Sequence, residues 1–562
     1  MNYVPISGLR LLLVECGILA AAYLIAHLVL RYLPIPAAPQ HALHKVISTE
    51  FRPVLLVILL VLVGRAALLP WVPVPQPRIN DEFSNLLLAD TVAHHRLTNP
   101  TPLAWQHFET FHVNFLPTYH CKYPVAQGLA LGLGQIVFHL PWVGVYLSTA
   151  LLCGAICWAL QAFLPPGWAL LGGLLAAVRL GLLSYWMNSY WGGSMAALGG
   201  ALAAGSVVRL FDAEQSKRRR TLLASIFAFS LLLLANSRPY EGLAYSLPLL
   251  VYFGYKAAHG IFGGRTISVA SAVFPVLIIG ALGLAFMGYY NRRTTGDALL
   301  LPHLLNERTY SPLPLFVWQK PKPPMTFHDP AFAKFYQVTE ETYGYAETRT
   351  ASGLMSVEFE RLLTDWFFYV GPVLSLPLLV GFLSALRQPR LRIALFAGLA
   401  MLIALALCIY TMQHYAAPAT ALVYLLSAEG LLYLWREGGH AGQAFVVAIC
   451  LTVFVTSLAR QTGSTAINNA FALPDNRVRI AQQLDQLPGQ HLVLVGYDLE
   501  RHYPGDELVH NGADFASEKI LWARSKGELA DRELCRSYSG RTFWRVFTDD
   551  QQYSLQRVEL CP

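Results

Sequence analysis

Two adjacent carboxylates are the strongest candidates for acid–base chemistry in this sequence. Asp81 and Glu82 follow an apolar block at about 53–71 and lie near the start of a polar segment, 72–123. Neighbouring residues project to different faces of a helix, so the two acids need not perform the same task. One carboxylate can serve as a general base while the other supports a neighbouring loop or binds a metal ion. The alternative is an acidic helix start that only stabilises the helix dipole.

Further titratable side chains lie later in the same segment. Asp90 and His94 stand four residues apart and would share one face of a helix. Glu109 and His112 would also share a face if their stretch is helical, and both are candidates for substrate binding. Either pair could hold a divalent cation such as Mg, Mn or Zn, and hydrogen-bonded structural pairs are the alternative. Lys122 is a candidate contact for a lipid phosphate, the alternative being a lysine that only reaches the membrane surface.

Two junctions between apolar blocks carry polar and aromatic residues. At the first, Asn188, Tyr190 and Trp191 could bind a sugar by hydrogen bonding and stacking, and an interfacial aromatic belt is the alternative. At the second, Arg238 presents the planar donor fork that suits a phosphate. An ion pair between Arg238 and Glu241 that only fastens the turn is the alternative.

Three more basic residues complete a predicted phosphate-binding set. Arg292 and Arg293 open a second long polar segment, 291–363, and His414 follows a long apolar block. Adjacent arginines on the non-cytoplasmic side oppose the usual charge distribution, which favours an anionic partner. Plain exposure at the headgroup level is the alternative for the arginines, and a satisfied interfacial histidine is the alternative for His414.

The composition defines the kind of molecule that must position these residues. Of 562 residues, 55% are apolar and 13% are charged, against about 25% charged in an ordinary soluble domain. The mean hydropathy of +0.42 comes from repeated blocks of about 20 apolar residues, the length that crosses a bilayer. This pattern excludes a soluble enzyme, a disordered chain and a coiled-coil rod. The formal net charge of +7 lies mostly in short loops, as in the positive-inside pattern, and does not indicate nucleic-acid binding.

These blocks predict a mainly α, polytopic transmembrane bundle of about 12 spanning helices plus interfacial helices. The blocks lie at about 8–32, 53–71, 142–163, 168–187, 190–211, 221–236, 241–257, 268–290, 364–385, 390–411, 415–435 and 441–459.

A shorter apolar block at 124–139, interrupted by three glycines, decides the topology. If it crossed the membrane fully, the basic loop 217–220 would lie on the same side as segment 72–123, against the positive-inside rule. If it lies at the surface or re-enters, the basic loops all become cytoplasmic. We therefore predict that this block does not span, and that segments 72–123 and 291–363 share the external side with the tail. The candidate site residues then map to one membrane face.

The tail differs in composition and predicts a small extracytoplasmic α/β domain, 461–562, after a transmembrane domain, 1–460. Its amphipathic, strand-like and helical runs are, in chain order, Asp475–Leu487, His491–Tyr497, Leu529–Tyr538, Thr542–Phe547 and Tyr553–Leu560. In an oxidising compartment Cys535 and Cys561 could form a disulfide, and two free thiols are the alternative.

The sequence resembles the GT-C superfamily of integral-membrane glycosyltransferases, in particular the branch of protein O-mannosyltransferases and lipid A aminoarabinose transferases. The Asp81-Glu82 pair opening the first external segment carries the resemblance, followed by a polar helix and Leu97-Thr98-Asn99-Pro100. Lys122-Tyr123-Pro124 matches a Lys/His-Pro-Pro-like entry to the next helix, with one proline where the relatives usually have two.

The resemblance implies a GT-C fold and an inverting transfer on the external face. The donor would be a sugar linked to a polyprenyl phosphate or diphosphate, with Lys122, Arg238, Arg292, Arg293 and His414 as its phosphate contacts. Asp81 would be the base toward the acceptor and Glu82 a supporting acid. The acceptor, a glycan, lipid or protein, is not identified. A bacterial inner membrane with a periplasmic site is the expected location.

Two other functions remain open at this point. A transporter or flippase for an anionic lipid or glycolipid would also carry charged residues facing a membrane cavity. The polar residues cluster at one face, however, whereas a transport path needs polar positions through the midplane. A non-catalytic assembly protein of the envelope is a weaker alternative, for which Asp81 and Glu82 would be dispensable.

Overall fold

The computed structural model describes residues 5–32, 45–212, 215–262, 266–320, 322–462, 476–498, 500, 507–548 and 553–560. Up to the second junction, its helices and short strands are α1 Pro5–Tyr32, α2 Phe51–Ala67, α3 Asn80–Ala93, β1 Val113–Asn114, β2 His120–Cys121, α4 Val125–Phe138, α5 Trp142–Leu160, α6 Pro166–Leu180, α7 Ser194–Leu210 and α8 Lys217–Ala235. The remaining helices of the apolar region are α9 Pro239–Phe262, α10 Thr266–Thr295, α11 Pro302–Thr309, α12 Pro330–Tyr343, α13 Ala351–Tyr369, α14 Gly371–Arg387, α15 Pro389–Ala406, α16 Thr420–Glu437 and α17 Gly439–Thr462.

The apolar helices make the chain a multi-pass membrane protein. By length and composition, six of the described helices could each cross a bilayer, and one bent pair could form a seventh crossing. The six are α1, α5, α10, α15, α16 and α17. Shorter apolar helices, such as the 17-residue α2, fall outside these criteria, so the total of about 12 crossings stays a prediction.

Contacts around Glu50 support the prediction that block 124–139 does not span. This block forms α4, whose 14 residues reach about 21 Å, less than the roughly 30 Å of a hydrocarbon core. Glu50 and segment 72–123 lie at opposite ends of α2. Arg219, in the basic loop, places Nη2 2.5 Å from Oε2 of Glu50, and Gln161 at the end of α5 donates to the Glu50 carbonyl. The basic loop is therefore on the side opposite to segment 72–123, which an odd number of crossings between them would give.

The apolar block at 364–385 differs from the straight helix that its hydropathy predicts. The chain forms α13 and α14, which meet at an angle of 97°. Gly371 adopts a φ of +67°, a left-handed conformation that glycine tolerates because it has no Cβ, and Pro372 follows at the start of α14. Local backbone chemistry thus breaks an otherwise continuous apolar run.

The C-terminal part forms a small α/β unit. Its elements are α18 Asn476–Asp485, β3 His491–Tyr497, β4 Ile520–Arg524, α19 Glu528–Ser537, β5 Thr542–Thr548 and β6 Tyr553–Arg557. The described strands form one sheet in the order β4-β3-β5-β6, parallel except for the last pair. The predicted strands and helix are confirmed, and β4 is an addition. Cys535 is disulfide-bonded, whereas Cys561 lies outside the described residues.

This unit packs on the first polar segment. Tyr119 donates its O–H to the Asn511 carbonyl at 2.9 Å, and the amide of Ala513 donates to Oδ2 of Asp90 at 2.6 Å. Nδ1 of His107 lies 2.9 Å from the carbonyl oxygen of Arg524. Segment 72–123 and the tail are therefore on the same side of the bundle, as the loop charges predict.

Candidate functional site

The site centres on Asp81 in the first turn of α3, where a quarter of its side chain is exposed. The phenol O–H of Tyr123 donates to Oδ1, and Oδ2 lies 3.7 Å from Nε2 of His112. Burial, and then the charge of Lys122, lower the pKa of His112 to about 4, so this ring is neutral near pH 7. Oδ2 therefore has no close hydrogen bond to His112 and can accept a proton from a ligand.

Glu82 is buried and faces the protein rather than this opening. Its Oε2 accepts hydrogen bonds from the amides of Arg78 and Ile79, at 2.8 and 3.2 Å, and its Oε1 accepts one from the amide of Tyr190 at 2.9 Å. Burial raises the pKa of Glu82 to about 7, although these three bonds oppose the shift. The contacts fasten the start of α3 to the junction before α7, which is the loop-supporting role predicted for one of the two acids.

At the same junction, Asn188 and Tyr190 were predicted to bind substrate, but their polar atoms form hydrogen bonds within the protein. Oδ1 of Asn188 accepts from Nε and Nη2 of Arg65, at 3.2 and 2.9 Å, and its amide donates to the Leu182 and Ser184 carbonyls. The Tyr190 hydroxyl donates to a backbone carbonyl at 2.9 Å. Buried polar groups are normally satisfied in this way, so neither side chain is available to a substrate.

Replacing Asn188 by alanine is expected to destabilise the protein. Arg65 is fully buried, and it would lose its only side-chain hydrogen-bond acceptor among the described residues. Hydrogen bonds to charged groups contribute about 1.5–3 kcal/mol. Thermal unfolding of the detergent-solubilised protein measures the loss. Ser189→Ala, which removes one neutral bond to the Tyr185 carbonyl, should cost about 1 kcal/mol, and equal losses in the two variants would contradict the role given to Asn188.

Lys122 lies beside Tyr123 and is already paired with an acid. Its Nζ is 3.4 Å from Oε1 of Glu307 in α11, and both side chains are nearly buried. Oε2 of Glu307 is buried without a hydrogen-bond partner. Burial, and then the positive charges of Lys122 and Arg238, lower the pKa of His303, one turn before Glu307, to about 4. These residues form a polar wall made by two distant segments of the chain.

Arg238 supplies a positive charge near the site without a direct ion pair in the described part of the chain. Its guanidinium lies 4.0 Å above the ring of Tyr415, and no carboxylate oxygen of the described residues lies within 4 Å of it. The alternative of a direct ion pair with Glu241 is therefore not formed. Burial, and then the charge of Asp81, raise the pKa of Tyr343 in α12, and the charge of Arg238 lowers it. Tyr123, the hydrogen-bond partner of Asp81, is among the groups that raise the pKa of Arg238. The acid and the arginine thus belong to one cluster.

His414 directly precedes Tyr415, whose ring lies 4.0 Å from the Arg238 guanidinium. Burial, and then the charge of Arg238, hold the pKa of His414 well below its usual range, so the ring is neutral. Nδ1 lies 3.1 Å from the Tyr185 hydroxyl, and the ring centroid is 4.6 Å from that of Trp191. His414 and Trp191, predicted separately, are therefore neighbours.

Three predicted residues make no hydrogen bond or ion pair with this cluster among the described residues. Arg292 and Arg293 are exposed at the end of α10, and neither side chain makes a hydrogen bond or ion pair with the described residues. Glu109 is buried against Tyr310 and His328, at 3.1 and 3.4 Å. Its predicted pairing with His112 required a helix, and the stretch 108–112 is not helical.

Sequence reasoning missed the two contacts that complete the cluster. Tyr123 was visible only as an interfacial aromatic and His303 only as a polar residue of the second segment. The Lys122-Tyr123-Pro124 motif marked the correct place, but the partner of each side chain depends on segments more than 40 residues away.

The described residues offer no clear metal site. No group of three or more His, Cys, Asp or Glu side chains is arranged to hold an ion in the described parts of the chain. Asp90 and His94 do approach each other, at 3.4 Å, but Asp90 also accepts from Gln135 and from the tail. The Asp90–His94 pair therefore has a structural role, and no chemical step is assigned to a metal.

Comparison with known proteins gives structural matches only. No protein-family model matches the sequence, and a search of curated proteins gives no significant match. The fold is similar to ArnT from Cupriavidus metallidurans bound to undecaprenyl phosphate, at 12% identity and a TM-score of 0.49, covering 89% of this chain and 93% of that chain. It is also similar to an oligosaccharyltransferase from Archaeoglobus fulgidus in complex with zinc and sulfate, at 11% identity and a TM-score of 0.49, covering 88% of this chain and 67% of that chain. Similarity at this level of identity concerns the fold alone.

Proposed function

We propose that this protein is a membrane glycosyltransferase that moves a sugar from a polyprenyl-phosphate-linked donor to an acceptor on the external face. The observation that carries the proposal is an available carboxylate oxygen, Oδ2 of Asp81, that has Tyr343 as a common neighbour with Arg238, a guanidinium with no carboxylate oxygen of the described residues within 4 Å. A base for the acceptor and a cation for the leaving phosphate are the two groups that such a transfer requires.

The transfer needs no covalent intermediate with the protein. Oδ2 of Asp81 takes the proton of the acceptor O–H as the acceptor oxygen forms a bond to the anomeric carbon. The bond between that carbon and the phosphate oxygen breaks at the same time, and the phosphate leaves with the electron pair. Attack opposite to the leaving group inverts the anomeric centre.

The leaving phosphate would lie against Arg238 and the wall formed by Lys122 and His303. Arg238 has the planar fork that matches phosphate oxygens, and no carboxylate oxygen of the described residues lies within 4 Å of it. Lys122 already shares its charge with Glu307, so it contributes less. His414 is neutral and can donate or accept one hydrogen bond.

Replacing Arg238 by glutamine is expected to weaken binding of a polyprenyl phosphate at least about tenfold, because a charge-assisted hydrogen bond is lost. Native mass spectrometry of the purified protein, titrated with undecaprenyl phosphate, measures the bound fraction. Arg292→Gln should bind like the wild type, because Arg292 is exposed and makes no hydrogen bond or ion pair with the described residues. Asp81→Asn should retain the lipid, since Asp81 acts on the acceptor.

Other outcomes assign the site differently. Loss of lipid in Arg292→Gln with retention in Arg238→Gln would move the phosphate site to the end of α10. No lipid bound by any form, even after addition, would contradict a polyprenyl-phosphate donor and favour the transporter hypothesis for another ligand.

A further inference from the structure

Tyr123 contacts the proposed base through the one polar atom of its side chain. It stands directly before Pro124 and α4, and its hydroxyl donates to Oδ1 of Asp81. The resembled GT-C motif usually has a proline at this place, which carries no side-chain donor. The hydrogen bond is thus a property of this chain and not of the motif.

We propose that Tyr123 is a positioning residue for Asp81. Its O–H occupies Oδ1 and leaves Oδ2 as the oxygen that receives the acceptor proton. The inference rests on the proposed role of Asp81 as base and adds the group that prepares it.

The surroundings of Asp81 give this hydrogen bond its importance. No cationic side chain of the described residues lies within 4 Å of Asp81 other than His112, and His112 is neutral near pH 7. Five titratable groups interact electrostatically with Asp81. They are Glu82 on the same helix, Tyr343 of α12, and three residues from the rest of segment 72–123, namely His112, Cys121 and Tyr123. Tyr123 is the one side chain of the described residues that donates a hydrogen bond to the Asp81 carboxylate, and a donor to a carboxylate in general favours its ionised form.

The geometry on the other side of the carboxylate leaves room for an acceptor. Oδ2 and Nε2 of His112 are 3.7 Å apart, too far for a good hydrogen bond between them. A hydroxyl oxygen placed off the line between them can lie about 2.8 Å from both atoms. With Oδ1 occupied by Tyr123, only Oδ2 can take the proton from a hydroxyl held there.

The test measures protonation of Asp81 without any sugar. Dicyclohexylcarbodiimide reacts with protonated carboxyl groups that are shielded from water, and peptide mass spectrometry assigns the product to Asp81. The full-length protein in detergent would be labelled from about pH 3 to about pH 8, a range that brackets the ordinary pKa of an aspartate, about 3.9, as wild type and as Tyr123→Phe, with Asp81→Asn as the blank. The midpoint for Asp81 should move upward by about one pH unit in Tyr123→Phe, a tenfold change in the protonation equilibrium.

The matched control is Tyr119→Phe. Tyr119 is a buried tyrosine of the same segment, and its hydroxyl donates to the Asn511 carbonyl instead of a carboxylate. The midpoint of Asp81 labelling in Tyr119→Phe should equal that in the wild type. An unchanged midpoint in Tyr123→Phe, or no labelling of Asp81 at any pH in that variant, would overturn the proposal. If the two substitutions only destabilised the segment, the midpoint of Asp81 labelling would shift equally in both variants, and that result would also overturn the proposal.

A second measurement separates this inference from the proposed function. If Asp81-dependent transfer is observed, Tyr123→Phe should lower kcat at least about tenfold, leave KM within about twofold, and move the acidic limb of the pH profile upward. If the labelling midpoint moves and no transfer occurs with polyprenyl-phosphate sugars, the positioning of Asp81 by Tyr123 stands and the glycosyltransferase proposal fails.

Discussion

Replacing Asp81 by asparagine is expected to reduce sugar transfer at least about a hundredfold. Asparagine keeps the shape of the side chain but cannot take the acceptor proton, and general base catalysis typically contributes about 10²–10⁴-fold. The measurement is the release of polyprenyl phosphate from a polyprenyl-phosphate-linked sugar, with bacterial envelope extract as the source of acceptors. Because Asp81 is a quarter exposed and makes a single side-chain hydrogen bond, the variant should fold normally.

The matched control for this prediction is Asp297→Asn. Asp297 is an exposed acid in the second external segment, and its carboxylate accepts a bond from the amide of Leu299. Release should be unchanged in this variant. Equal release by wild type and Asp81→Asn would remove Asp81 from the base role. Release by neither form, combined with lipid movement across vesicles, would support the transporter hypothesis.

Replacing Arg524 by methionine is expected to destabilise the C-terminal unit by about 3–5 kcal/mol, because its buried ion pair with Glu507 lies within that unit, and to weaken the contact of the unit with the first polar segment. Arg524 in β4 is 1% exposed, pairs with Glu507, and donates to the Glu109 carbonyl at 2.9 Å. Its guanidinium also faces the rings of Phe111 and Phe332, at 5.6 and 5.3 Å. The substitution would leave the buried Glu507 carboxylate without its cation. Protection of the tail against limited proteolysis measures the effect.

Arg532→Met is the control for Arg524→Met. Arg532 and Glu528 form an ion pair at 2.5 Å on the exposed surface of α19, and such pairs contribute about 0–1 kcal/mol. Protection should be unchanged. The double variant Arg524→Met with Glu507→Met should lose less than the sum of the single variants, because the two residues interact directly. Additive losses would contradict a direct coupling.

Arg524 also connects the tail to the candidate site. Phe332 belongs to α12, and in the same helix Phe335 packs against Phe111 and His112, with ring centroids 4.2 and 5.7 Å apart. The tail therefore holds the helix that lies beside His112, the neighbour of Asp81. A sequence-based view of the tail as a separate domain does not reveal this connection.

Much of the fold could be predicted because its signals are local. Apolar blocks of about 20 residues predict membrane helices, since each must satisfy its backbone hydrogen bonds within itself. The strand-like runs of the tail predicted β3, β5 and β6 and the helix α19. β4 was missed because Ile520–Arg524 is a short run whose pairing with β3 depends on a distant strand. The bend at Gly371 was missed because hydropathy does not report backbone φ.

Part of the candidate site could also be predicted. Acids at a helix start and an arginine at a helix junction are unusual at a membrane face, which is why Asp81, Glu82 and Arg238 were predicted as site residues, and their roles stay predictions. The separate roles of Asp81 and Glu82 follow from helix geometry, since adjacent residues face different directions. The substrate roles of Asn188 and Tyr190 were not supported, because spacing does not show whether a polar group already has a partner inside the fold.

The sequence by itself determined that the chain is a multi-pass membrane protein with a C-terminal α/β unit and a pair of acids near the start of its first long polar segment. Hydropathy, charge and short-range patterns carry this information because they act through local burial and local backbone geometry. Only the tertiary structure decided that Tyr123 donates to Asp81 and that, among the described residues, Arg238 lacks a carboxylate partner within 4 Å and Arg292 makes no hydrogen bond or ion pair with the cluster. These contacts join residues from different helices, so they depend on how the helices pack and not on the order of residues along the chain.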